Sequence, residues 1–141
     1  MNKNLLSVCI GTTLALSLLS AQAAEKKGVD LSKLPPAADK TGVTYATDIK
    51  PIFEKWCFRC HGAEKAKARL RLDSLEAVLK GGADGKVIVA GKSADSMLVH
   101  NVAYAGPRDG YMPPSKSKPA TPFLTKEQIG LIRAWIDQGA K

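Results

Sequence analysis

Cys57-Phe58-Arg59-Cys60-His61 is the stretch whose reading decides the fold. Two thiols separated by two residues on one helical turn can each add across a vinyl group of a single porphyrin. The residue that follows then sets an imidazole below the ring plane, where it binds iron. Few other sites need a histidine directly after the second cysteine. The motif therefore implies covalent haem c, with Cys57 and Cys60 as thioether positions and His61 as the proximal iron ligand.

The chain upstream of the motif reads as an address followed by an arm. Lys3 precedes an apolar run from Leu5 to Leu19, too short to span a bilayer comfortably, and Ala21-Gln22-Ala23 is a small-x-small cleavage site. Residues 1–23 are expected to be a signal peptide cut after Ala23, which removes Cys9 and sends the protein to the periplasm or another exported location, with no stable membrane insertion afterwards. Cys57 and Cys60 are then the only cysteines left, in a compartment that oxidises thiols. Residues 24–43, with Pro35-Pro36 and no period, read as a flexible N-terminal arm or a segment draped over the surface.

The folded domain is expected over residues 44–141, and its periodicity is helical throughout. With 6% aromatic residues in the chain, it has little with which to build a core, and a large flat apolar cofactor at the centre makes up the deficit. A first helix is predicted over Asp48 to Cys60. Asp48 is its cap and Pro51 lies in its first turn, while Ile49, Ile52, Phe53, Trp56 and Cys60 share one face, and Gly62 ends it.

Asp73 and Glu76 predict the start of a second, short helix that stops at Gly81-Gly82. Val87-Ile88-Val89 is a short extended segment at most. A third helix follows Ser93 and carries Met97, Leu98 and Val102. Residues Tyr104 to Pro122, with five of the eight prolines, read as a loop. Thr125 and Gln128 form a capping box for a last helix bearing Ile129, Ile132, Trp135 and Ile136 and ending at Gly139. The fold class is all-α, with no βαβ unit.

A haem held by His61 has one further iron position, and the candidates are Met97, His100 and Met112. Met112 is preferred. It lies on the loop rather than on a helix, and Pro113-Pro114 behind it stiffens the backbone. Its soft sulfur favours the reduced metal, as suits an electron carrier. Met97 and His100 sit in a helical segment where packing is their ordinary role.

Two rivals compete for the motif. Trp56-Cys57-x-x-Cys60 also resembles a thiol–disulfide site, but such a site needs a strand before it and a helix after it, the reverse of the order here. A zinc site on Cys57, Cys60 and His100 needs a fourth ligand and leaves His61 unexplained. Trp56 and Trp135 are read as helix-packing residues.

The charge of +8 is scattered, which argues against nucleic acid and fits a mildly basic surface. Lys55, Lys65 and Lys67 flank the motif and are candidates for docking an acidic redox partner. Arg69, Arg71 and Arg108 are candidates for pairing with a haem carboxylate.

Taken together, Asp48-Ile49-Lys50-Pro51-Ile52-Phe53, the Cys57–His61 motif with Gly62, Leu70-Arg71-Leu72-Asp73, Gly91-Lys92-Ser93, Met112-Pro113-Pro114 and Trp135-Ile136-Asp137-Gln138-Gly139 resemble the planctomycete-type cytochrome c domain of the cytochrome c superfamily. The resemblance implies a cytochrome c fold of three to four helices around one covalently attached haem, the first and last helices crossing beside it. It carries over Cys57 and Cys60 as attachment sites, His61 as proximal and Met112 as distal ligand. Such domains are often fused to other modules, and this chain is read as the domain alone with a short arm. The function expected is that of a soluble monohaem electron-transfer protein and not an enzyme. A haem protein with a labile sixth ligand that binds or senses a small molecule is the alternative.

Overall fold

The structure, a computed structural model, describes residues 28–116 and 122–141. The expected signal peptide, its cleavage after Ala23, the first residues of the arm and Pro119 lie outside the described residues.

Five α-helices, α1 (Lys50–Trp56), α2 (Phe58–His61), α3 (Leu75–Lys80), α4 (Met97–Val102) and α5 (Lys126–Asp137), carry the fold. No strand occurs among the described residues, whose only extended pairings are isolated bridges at His61–Ala66 and Gly82–Gly85. The all-α reading holds.

The single first helix expected from Asp48 to Cys60 is three pieces. A π-helical turn over Tyr45–Ile49 leads into α1, and Cys57, at φ −121°, separates α1 from α2. Asp48 is not the cap. Thr44 is, its side chain accepting from the Thr47 amide, and the Asp48 carboxylate reaches back to the Thr44 amide at 2.9 Å. The residues expected to start the helix thus close a reciprocal cap one turn earlier. Gly62 caps the end of α2, where any Cβ would stand 2.6 Å from the Phe58 carbonyl.

The cap of α3 differs from expectation in the same way. Ser74 accepts from the Ala77 amide, while Asp73 is taken by the two-pronged guanidinium of Arg71 at 2.9 and 2.5 Å. At α5 the expected capping box between Thr125 and Gln128 is formed in both directions.

The core gathers where α5 meets the first helical segment. Trp135, Phe53, Ile49, Ile132 and Ile136 are fully buried. The Tyr45 ring lies 5.9 Å from Trp135 and 6.4 Å from Phe53. Trp135 therefore packs as expected, while Trp56 is only half-buried.

Residues 35–43 lie along α5, while Asp30 and Lys33 hold to Ala105 and Tyr104 at the end of α4. The Ala38 amide donates to the Gly130 carbonyl at 2.9 Å, Arg133 donates to the Pro35 carbonyl, and Gln138 binds both Lys40 and Val43. A Cβ on Gly130 would sit 2.8 Å from the Pro36 carbonyl, so that glycine is what lets the arm lie so close.

Candidate functional site

Two adjoining cavities open between α2, the Leu70–Leu72 segment, α4 and the Met112 loop. The inner one, a cavity of about 80 Å³, is walled largely by apolar groups, among them Leu70, Leu72, Val87, Leu98 and Val102. Cys57, Cys60, His61 and Met112 all line it. The outer one, about 570 Å³, shares His61 and Met112 with it and adds Asp84, Asp95 and Asp109 to a mostly apolar wall. Together they form a largely apolar slot with a few acidic side chains toward its outer part, as prosthetic-group sites commonly are.

Each motif side chain is prepared for a different task. Cys57 and Cys60 are free thiols. Burial pushes the Cys57 thiol up to about 12, with Cys60 adding to the effect. A thiol–disulfide site calls for the opposite, a thiol held low so that it ionises, and for a strand before the motif, whereas helix α1 leads into Cys57 here.

His61 is buried, and its Nδ1 lies 3.2 Å from the Leu70 carbonyl. A carbonyl can only accept, so Nδ1 carries the proton and Nε2 keeps its lone pair for a metal. The segment that supplies this carbonyl is itself fixed: the Leu72 amide donates to the His61 carbonyl at 2.7 Å, and the Tyr45 hydroxyl donates to the Leu72 carbonyl at 2.7 Å. Sequence reading missed Leu70 and Tyr45, because a backbone acceptor leaves no residue-type signal.

Met112 reaches the slot from the loop after α4. Its amide donates to the Asn101 carbonyl at 3.1 Å, and the Met112–Pro113 bond is cis. Met97 and His100 line only the outer cavity; Met97 is exposed, and the His100 Nε2 donates to the Ala94 carbonyl at 2.7 Å. Among the described residues no three His, Cys, Asp or Glu side chains gather to hold an ion, so the zinc alternative finds no ligand set there.

The α4 helix that carries Asn101 ends in an unusual way. The Ala105 amide donates to the His100 carbonyl at 2.9 Å and the Tyr104 amide reaches the Asn101 carbonyl at 3.4 Å, the paired bonds of a Schellman motif. Its left-handed position is Tyr104, at φ +54°. Any residue with a side chain adopts that conformation at a cost of roughly 1–2 kcal/mol, and glycine is the usual occupant.

The residues present fit a haem. Two thiols, an imidazole with Nε2 left for a metal, and a thioether line the same apolar slot. Trp56 adds an independent sign: it lines the inner cavity, and its buried indole N–H has no partner among the described groups, as a donor awaiting an acceptor would be. None of Arg69, Arg71 and Arg108 lines either cavity. Lys67 is the basic side chain that does, and Arg71 is already engaged with Asp73.

Comparison with known proteins agrees with this geometry. Residues 57–116 match the family model described as planctomycete cytochrome C. No curated protein and no solved structure matches the chain. The matched span runs from the first motif cysteine to residue 116, so it takes in the lining of the slot except Trp56 and Val29. That match, over 60 of the 141 residues, supports a cytochrome c-type family for this part of the chain and points to a haem-based electron-transfer protein.

Proposed function

We propose that this chain is an exported, single-haem c-type cytochrome that carries electrons between partner proteins and is not itself an enzyme. The observation that carries this reading is one apolar cavity lined by Cys57, Cys60, His61 and Met112. Haem bound there supplies a one-electron Fe(III)/Fe(II) couple. The protein's own residues do the rest. Cys57 and Cys60 anchor the group, His61 offers Nε2 because Leu70 holds the proton on Nδ1, and Met112 closes the opposite side. The apolar walls keep water out and favour the less charged, reduced state.

Export rests on residues 1–23, whose apolar run ends in a cleavage signature. No helix among the described residues is long and apolar enough to cross a membrane. Lys55, Lys65 and Lys67 are exposed beside the slot, and Lys55 lies 5.0 Å over the Trp56 ring. They suit a short-lived complex with an acidic redox partner through a small interface.

The test is the visible spectrum of the protein matured with haem, first oxidised and then reduced. Sharp low-spin bands on reduction are the expected outcome. High-spin bands would favour a labile sixth position and the ligand-binding alternative. A colourless protein with two titratable thiols would overturn the reading.

A further inference from the structure

Tyr104 does work that its backbone position does not ask for. Helices α4 and α5 end in the same motif. At the end of α5 the Ala140 amide donates to the Trp135 carbonyl and the Gly139 amide to the Ile136 carbonyl, both at 2.9 Å, with glycine in the left-handed place at φ +98°. At the end of α4 the matching place holds a tyrosine that is 2% exposed. A residue kept in a conformation that disfavours it points to a use for its side chain.

That use is visible in what the side chain touches. The Tyr104 ring stacks on Tyr111, with centroids 4.1 Å apart and planes 6° from parallel. Its hydroxyl donates to the Pro113 carbonyl. Tyr111 and Pro113 are the two neighbours of Met112. Between them, the Met112 amide is bound to the Asn101 carbonyl, the same carbonyl that the Tyr104 amide approaches. Gly110 lies beside the Asn101 side chain, whose oxygen a Cβ there would meet at 2.9 Å. The loop is thus fastened on both sides of one residue.

We infer that Tyr104 is a positioning residue for Met112: by holding Tyr111 and Pro113 against the end of α4, it sets how readily an outside ligand displaces the Met112 thioether from iron. This rests on the reading of Met112 as the distal ligand. Burial beside Tyr111 raises the Tyr104 hydroxyl above its ordinary value, so the donor persists through the neutral range.

The experiment titrates the ferric, haem-loaded protein with imidazole and follows the charge-transfer band of the iron–thioether bond, with thermal melting recorded in parallel. Tyr104→Phe keeps the ring and removes one hydrogen bond. It is expected to bind imidazole about fivefold more tightly than the wild type, the factor that corresponds to one ordinary hydrogen bond. Tyr104→Gly removes ring and hydroxyl while relieving the backbone, and is expected to bind imidazole more tightly still.

Gly139→Ala strains the same motif at α5, far from the loop. It should lower the melting temperature and leave imidazole affinity unchanged. If all three variants shift imidazole affinity in proportion to their loss of stability, or if Tyr104→Phe and Tyr104→Gly leave it at the wild-type value, the inference is wrong. Met112→Ala separates the two levels of the argument. Loss of the charge-transfer band in that variant upholds the ligand, and an unchanged band overturns both the ligand reading and the role given to Tyr104.

Discussion

His61 and Met112 face the same slot but are held there by different means. His61 sits on α2, between thiols that can be bonded to the cofactor and a short segment, Leu70–Leu72, that accepts and donates around it. Met112 sits on a loop, with no covalent anchor and with both neighbours pinned to the end of another helix. One side is secured by chemistry and short-range pairing, the other by two hydrogen bonds and a ring stack. The difference teaches where the site can yield. Opening the proximal side means breaking covalent bonds or melting the fold, whereas opening the distal side means losing a few contacts of order 1 kcal/mol each.

The largest break in that comparison is to remove the covalent side. Cys57→Ser with Cys60→Ser should abolish retention of haem through denaturation completely, read as haem staining on a denaturing gel. Stain remaining on the double variant would mean the anchors lie elsewhere.

A subtler change acts on the proximal scaffold without touching the cofactor. Tyr45→Phe leaves the buried Leu72 carbonyl without its donor, and should cost about 1–3 kcal/mol of stability in a denaturant titration. Imidazole affinity should stay at the wild-type value, in contrast with Tyr104→Phe. Equal effects of the two variants on imidazole would erase the distinction between the two sides.

The smallest effect concerns acid. A hydrogen bond from Lys40, aided by Thr44 and Thr47, lowers the Asp48 carboxyl from 3.8 to about 2 in the folded protein. A carboxyl depressed on folding contributes stability above its unfolded value and loses it as pH falls toward the folded one. The Thr44–Asp48 cap should therefore weaken between about pH 4 and pH 2, seen as a falling melting temperature. Asp48→Asn should flatten that part of the curve, and an unflattened curve would assign the acid response to other carboxyls.

Much of this arrangement was legible in the residues themselves. The Cys57–His61 motif, the stop at Gly62, the Thr125–Gln128 capping box and the apolar face of α5 are short-range features, in which the deciding partners lie within a turn or two. Even the misjudged caps at Asp48 and Asp73 missed by small steps, because nearby Thr44 and Ser74 offered the same hydrogen bond in competition. The matched family span, residues 57–116, begins at the first cysteine of that motif.

What the tertiary structure alone decided has a different character. Nothing in the spacing of residues says that the Leu70 carbonyl orients His61, that the arm lies across Gly130, or that Tyr104 takes a glycine's place to grip the neighbours of Met112. Backbone carbonyls carry no residue-type signal, and a ring stack depends on where two segments of chain come to rest. The sequence by itself determined which groups could do the chemistry, because reactivity belongs to residue types and their spacing. Only the fold decided which contacts hold those groups in place, because contacts depend on the path the backbone takes between them.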